Sequence, residues 1–384
     1  MSYALTTDLL ISAGTLFLVG MAICLRVLSV PASMALAGIK VTLPFVYFVF
    51  FYNGSWTFLD DIGYFEQGQE LLAQGYDPFL FFFDGEALQR LMALSGGFHI
   101  LYGWYNLLSQ WMFGPHYYSP VFLNVGLTLG AAYYLYQLAI ISEFSTRYAR
   151  GLFVFFSLHW ELLAWSSLVN LKDTLILFMT IVFVYAAVRV IQTKRKKYVI
   201  ALVGLFFLFF WIRFYVPLML LLAALVSLPW TAGRRGKKWV AALLVAGFGA
   251  TYGMFIGWEN VLGQLARLDI TAGALEGMIR MALTPQPWSI DPEYTFLLLP
   301  AMLHWIFFIP AIVGGVMLWR ERPQLRFLLV YLAIALLVYG AFDELQGPRH
   351  RVQLIFIYAW TQFHFVWYLL RGRMTKHLAL GSPV

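Results

Sequence analysis

Charge is what this sequence has least of. Only 12% of its 384 residues are Asp, Glu, Lys or Arg, whereas 61% are hydrophobic and the mean hydropathy is +0.74. Soluble domains carry about 25% charged residues, so the composition excludes one of this length and points to a polytopic membrane protein. Cysteine is nearly absent as well. With Cys24 alone, an intramolecular disulfide and a cysteine metal site are both ruled out. No glycine-rich phosphate loop ending in Lys and Ser or Thr occurs, which argues against an ATP-driven pump. Histidine-rich or cysteine-rich metal spacing is missing too. The first 30 residues lack a basic start and a small-residue cleavage site, so Leu9 to Leu28 is expected to be a retained helix and not a removed signal peptide. Without internal repeats, low-complexity tracts or a separate soluble domain, residues 1–384 are expected to form one all-α transmembrane bundle.

What the chain does have is a succession of apolar runs. Eleven are expected to cross a membrane, at roughly 8–28, 38–55, 119–141, 151–168, 174–191, 198–213, 216–231, 239–257, 296–318, 326–342 and 351–370. The net charge of +7 is distributed in short clusters between these runs, which makes the basic residues topology signals and not a nucleic-acid surface. Lysines and arginines favour the cytoplasmic side, and this places the N-terminus outside and the C-terminus inside. The inner face then receives Arg26, Lys40, Arg147, Arg150, Lys194-Arg195-Lys196-Lys197, Arg234, Arg235, Lys237, Lys238, Arg320, Arg322, Arg326, Arg371, Arg373 and Lys376, with Arg189 just above it. Arg90, Lys172, Arg213, Arg267, Arg280, Arg349 and Arg351 oppose the rule, and a cation stranded outside is expected to hold something anionic. The count requires 96–113 to be a re-entrant or juxtamembrane helix; Gly96-Gly97, His99, Asn106 and Gln110 interrupt its apolar pattern.

Two outer loops are long, 56–118 and 258–295. The first should contain an amphipathic helix from about Phe58 to Gln74, with Ile62, Phe65 and Leu72 on one side, ended by Gly75-Tyr76-Asp77-Pro78. At its head stand Asp60 and Asp61. Adjacent helical residues point about 100° apart, so at most one of them faces a cavity while the other caps, pairs or binds a metal. Desolvation at an apolar boundary raises a carboxylate's proton affinity, which suits a general base taking a proton from a hydroxyl. The plainer alternative makes Thr57 an N-cap and Asp60 an acid in the first turn. A divalent ion, Mg²⁺ or Mn²⁺, on Asp60 or Asp61 would need water or phosphate to complete its shell.

Three basic clusters follow. Asn170-Leu171-Lys172-Asp173 and Arg213 stand at outer helix ends, where each cation either snorkels to the interface or meets a lipid phosphate. Arg349, His350 and Arg351 either clamp phosphate oxygens or form an internal network with Asp343 and Glu344, and Arg280 is a weaker candidate of the same kind. Aromatic residues crowd the outer half. Most are expected to be interfacial anchors and a few to stack on sugar faces, with nothing in the sequence to separate the two groups; Tyr64 and Trp288 are candidate substrate-binding residues.

The order of an apolar span, an acidic pair, amphipathic loop helices and many further spans resembles the GT-C superfamily of integral-membrane glycosyltransferases. The acidic motif would be Asp60-Asp61 followed by Tyr64. Leu107 to Gly114, ending in Phe-Gly, looks like the loop helix of such enzymes. Lys172-Asp173, Pro285-Gln286-Pro287-Trp288 and Gly347-Pro348-Arg349-His350-Arg351 look similar to bacterial members acting on surface polysaccharides. The resemblance implies transfer of a sugar from a polyprenyl-phosphate donor to a glycan or lipid-linked acceptor, in a bacterial plasma membrane, with the site on the outer face. It implies Asp60 as general base, with Asp61 in support or holding a metal, and Lys172, Arg213, Arg349 and Arg351 meeting the charge of the leaving phosphate in a single inverting displacement. Two rivals stand beside it. One is a polymerase moving whole repeat units from a polyprenyl diphosphate, which would lean on the outer arginines, and the other is a lipid or glycan transporter.

Overall fold

Thr6 opens the first helix, its hydroxyl accepting from the Leu9 amide at 3.3 Å, and α1 runs Thr7–Cys24. A short turn leads to Pro31 at the start of α2 (Val30–Val46). Pro44 removes one backbone donor near the end of α2, and the ladder widens into a π turn at Tyr47–Phe51. The chain is a computed structural model that describes residues 5–54, 59–95, 99–227, 272–342 and 347–380, with isolated positions between 246 and 263. The expected span at 239–257, the cap at Thr57, Trp56, Gly96-Gly97, Arg267, Asp343 and Glu344 lie outside the described residues.

Among the described residues every regular element is helical. Five helices among the described residues are both long and apolar enough to cross a membrane, at Thr7–Cys24, Val30–Phe51, Lys172–Thr193, Tyr294–Glu321 and Pro323–Gly340, and a bent pair is a sixth if its two helices count as one broken span. This is compatible with a multi-pass membrane protein. The bent pair covers the span expected at 151–168 and adds a break within it. There α7 (Thr146–Ser157) and α8 (Trp160–Leu168) meet at 47°, because His159 leaves the helical conformation and its ring caps the Glu161 amide at 3.3 Å. Two more of the expected spans are short in their described parts. Helix α10 (Lys196–Phe210) has 15 residues and α11 (Tyr215–Ser227) has 13, about 22 and 20 Å against a hydrocarbon core of about 30 Å. Lys40 was expected among the inner-face charges. It lies instead in the middle of α2, fully buried, so it belongs to the packing of the helices and not to a loop.

The chain divides into two compact units, one formed by Met1–Ala139, Ala149–Arg213 and Ile290–Pro300, the other by Ile140–Tyr148, Phe214–Ser289 and Ala301–Val384. In the first, α1 packs on α2, and the loop helix α3 (Leu59–Ala73) packs on α5 (Ile100–Phe113), with α4 (Gly85–Leu94) beside both. Gly75 ends α3 in the left-handed region at φ +83°. Asp84 caps α4 through the amides of Glu86 and Ala87 at 2.9 and 3.2 Å. Gly68 sets the α3–α5 spacing, since a Cβ there would sit 2.8 Å from the Asn106 backbone. Helix α5 has 14 residues, about 21 Å, and is too short to cross by itself. Helices α6 (Tyr118–Ile141) and α9 (Lys172–Thr193) complete the frame of this unit.

In the second unit, α12 (Ala272–Leu283) and α11 pack on α14 (Arg326–Gly340). Helix α13 (Leu298–Glu321) meets α16 (Ile355–Leu380) at Gly314, where a Cβ would fall 1.9 Å from the Thr361 carbonyl oxygen. Small residues at such crossings let helix backbones touch.

Candidate functional site

The first turn of α3 carries both acids, and the helix separates them. Asp61 is fully buried, with Tyr64, Gly68 and Leu71 along the same face. Asp60 keeps 47% of its side chain exposed. The expected apolar face of Ile62, Phe65 and Leu72 is only half-buried, a correction to the amphipathic reading. The buried stripe begins with an acid because polar partners await it, not because the helix is oriented by its largest apolar groups.

Those partners form a network centred on Asn170, in the extended segment between α8 and α9. Its amide nitrogen Nδ2 donates to the Asp61 carbonyl at 3.0 Å and to Asn106 Oδ1 at 2.8 Å, while its Oδ1 accepts from the Tyr102 hydroxyl at 2.6 Å. The Tyr117 hydroxyl donates to the Asp61 carboxylate and accepts from the Asn170 amide at 3.3 Å. Burial, then the charge and hydrogen bond of Asp61, push the Tyr117 phenol well above its usual range. Asn124 on α6 extends the chain of contacts, accepting from Tyr105 at 2.9 Å and donating to Tyr102 at 3.4 Å. Every one of these side chains is buried, where a satisfied polar network specifies one arrangement of the elements that supply it.

Beside this network two ion pairs lie in sequence. Lys172 points its ammonium at the Tyr64 hydroxyl, 2.6 Å away, and at Asp60 Oδ2, 3.7 Å away, with 5% of its side chain exposed. Asp173, the next residue, accepts from Arg213 Nη1 at 2.7 Å, with both groups buried. The cation expected to snorkel or await phosphate at position 213 therefore has an internal carboxylate instead. His99, at φ 55°, binds the Ile212 carbonyl through Nδ1 at 2.8 Å and so ties down the segment that carries Arg213. Burial, followed by the positive charge of Lys172, pushes its imidazole down to about 3, which leaves the ring neutral at ordinary pH.

The remaining candidates belong to the second unit. Arg351 is buried and spends Nη1 on the carbonyls of Met281, at 3.1 Å, Ala282, at 3.4 Å, and Thr284. It closes the C-terminal end of α12, a structural occupation in place of the phosphate clamp expected from sequence. His350 is buried and stacks on Tyr339 at 6.1 Å, and Arg349 is half-buried at the start of the short helix α15 (Pro348–Arg351). Arg280 forms an exposed pair with Glu276 at 3.0 Å. Trp288 is exposed, with its ring 5.0 Å from that of Trp305.

Among the described residues no three His, Cys, Asp or Glu gather as a metal group. Asp60 and Asp61 also diverge, one toward solvent and one onto Tyr117. The pair does not fit a chelating Mg²⁺ or Mn²⁺ site. The site thus brings together Asp60, Asp61, Tyr64, Lys172, Asp173 and Arg213. In the sequence Asn170 stands out only as the head of the Asn170-Leu171-Lys172-Asp173 segment, His99 only as a break in an apolar run and Tyr117 only as one of many outer aromatics, while Tyr102 does not stand out at all; polar residues breaking apolar runs were the signal that could have joined them. Comparison with protein-family models, with characterised proteins and with solved structures finds no match.

Proposed function

We propose that this chain is an integral-membrane glycosyltransferase of GT-C type, with Asp60 as its general base. One observation carries the reading: a single half-exposed carboxylate stands 3.7 Å from a buried lysine, on a loop helix whose other acid is locked into the protein. An acid held so has one side open to an acceptor and one side against a fixed positive charge. The acceptor hydroxyl gives its proton to Asp60 as its oxygen bonds to the anomeric carbon. The bond from that carbon to the polyprenyl phosphate breaks in the same displacement, and the phosphate leaves with the electron pair. Lys172 supplies positive charge where that negative charge develops. Asp61, Tyr117 and Asn170 hold the first turn of α3 in place. The donor is a polyprenyl-phosphate sugar and the acceptor a glycan or lipid-linked saccharide, with eleven spans and a site on the outer face of a bacterial plasma membrane.

The polymerase reading needs open outer arginines, and Arg351 and Arg213 are each already engaged by acceptors within their own units. Purified protein incubated with labelled polyprenyl-phosphate sugars and candidate acceptors tests the proposal. Loss of a general base costs roughly 10²- to 10⁴-fold in rate. Asp60→Asn should lose at least the lower figure in protein whose circular dichroism shows the fold retained, a control needed because the change leaves the buried Lys172 facing a neutral amide. Equal turnover in wild type and variant would remove Asp60 from the mechanism.

A further inference from the structure

The second unit holds an open-sided cavity of about 690 Å³ between α13, α14 and α16. Helix α13 lines it with a stripe that includes Phe308, Gly315, Trp319 and Arg320, at the three- and four-residue spacing of one helical face. Leu329 and Leu336 of α14 form the facing wall. From Phe308 to Arg320 the helix rises about 18 Å, close to the depth of one leaflet of a hydrocarbon core about 30 Å thick. The two ends differ in chemistry. Toward the Phe308 end the groove is lined by Ala282, whose carbonyl is held by His304 at 2.8 Å and by Arg351 at 3.4 Å.

The other end is cationic. Arg320 lies exposed in the lining and has no ion-pair or hydrogen-bond partner among the described residues. Arg326 adds a second charge there, its Nε donating to the Trp319 carbonyl at 2.9 Å and its guanidinium 5.4 Å from the Trp319 ring. The neighbouring acid, Glu321, is turned to His364, 3.3 Å away. An apolar trough of leaflet length, lined by Ala282 toward one end and carrying an arginine and a tryptophan at the other, has the shape and charge of a phospholipid site. By the distribution of basic residues this end is cytoplasmic, and the cytoplasmic leaflet is the one rich in anionic lipid.

We propose that the groove binds an anionic glycerophospholipid, with one acyl chain lying from Trp319 to Phe308 and its phosphate on Arg320. The trough is one leaflet long, which matches a single acyl chain, and a polyprenyl phosphate is the competing occupant that the experiment distinguishes. The site is independent of the sugar-transfer reading and lies within one unit.

Native mass spectrometry of the full chain in detergent, titrated with phosphatidylglycerol or phosphatidylethanolamine, tests it. Two variants separate headgroup from chain. Arg320→Ala is an exposed change that leaves the trough intact. Gly315→Leu fills the trough, since a Cβ there meets only Thr361 Cγ2 at 3.7 Å and Leu329 Cδ2 at 3.9 Å. Wild type should retain phosphatidylglycerol in preference to phosphatidylethanolamine. Arg320→Ala should reduce that preference roughly fivefold, the equivalent of about 1 kcal/mol per basic residue near the headgroup. Gly315→Leu should lose both lipids. Equal retention of the two lipids by wild type, or a preference untouched in Arg320→Ala, would overturn the headgroup assignment. Full occupancy in Gly315→Leu, or displacement of the lipid by a polyprenyl phosphate, would overturn the chain assignment.

Discussion

Arg213 and Asp173 bury opposite charges 2.7 Å apart, and each is tolerable only because of the other. Arg213→Met should therefore cost about 3–5 kcal/mol by stranding the Asp173 carboxylate. The double variant Arg213→Met with Asp173→Leu should recover much of that loss, as read from unfolding midpoints in detergent. A recovery no better than the sum of the two single losses would mean that the pair is not coupled. His99 makes a second prediction, from protons instead of contacts. Its imidazole takes up a proton near 6.5 when unfolded but only near 3 in the fold, because burial first, then Lys172 and Arg213, oppose the charge, while the Ile212 carbonyl and Asp173 favour it. Between those two values the unfolded chain binds the proton first, so stability falls as pH drops through the window. His99→Asn keeps a residue type that tolerates positive φ. The fall in unfolding midpoint from pH 7 to 4.5 should be smaller in this variant than in wild type. An unchanged slope would show that His99 protonation does not drive acid sensitivity.

Among the elements, α3 carries the acids of the proposed reaction, and a glycine governs its distance from α5. A methyl group at Gly68 would meet Gln110 Nε2 at 2.7 Å and Asn106 at 2.8 Å. Gly68→Ala should then destabilise by about 1–3 kcal/mol, the usual cost of overpacking. It should also lower sugar transfer, because Asn106 leads through Asn170 to the Asp61 carbonyl. Gly63 lies on the same helix with nothing within 4 Å of its Cβ position. Gly63→Ala should be neutral or raise stability by about 0.4–1 kcal/mol, through loss of unfolded-state freedom. Equal stability loss in both variants would show that helix propensity, not the α3–α5 contact, controls the response.

At the scale of the whole molecule, orientation in the membrane rests on where the basic residues lie. The native thiol, Cys24, is buried, so an introduced cysteine can report alone. In intact cells an impermeant maleimide should label Gln74→Cys, at the exposed end of α3. It should reach Lys197→Cys, in the basic run, only after the membrane is opened. The reverse pattern would place Asp60 on the cytoplasmic side and end the proposed reaction with an external donor.

Composition alone pointed to a chain of apolar helices, because so few charges cannot clothe a soluble surface, and the helices found are compatible with a multi-pass membrane protein. The 100° step between neighbouring helical residues was likewise enough to say that Asp60 and Asp61 would face different surroundings. Which acid stays open was decided by Tyr117 and Asn170, residues 56 and 109 positions from Asp61 in sequence. The same is true of Arg213, which finds Asp173 across 40 positions, and of Arg351, which closes α12 from about 70 positions away. A local pattern reports which side chains need a partner when buried. Only the packing of distant helices determines which partner arrives, since the hydrogen bond or ion pair forms where the folded backbones bring the groups within about 3 Å.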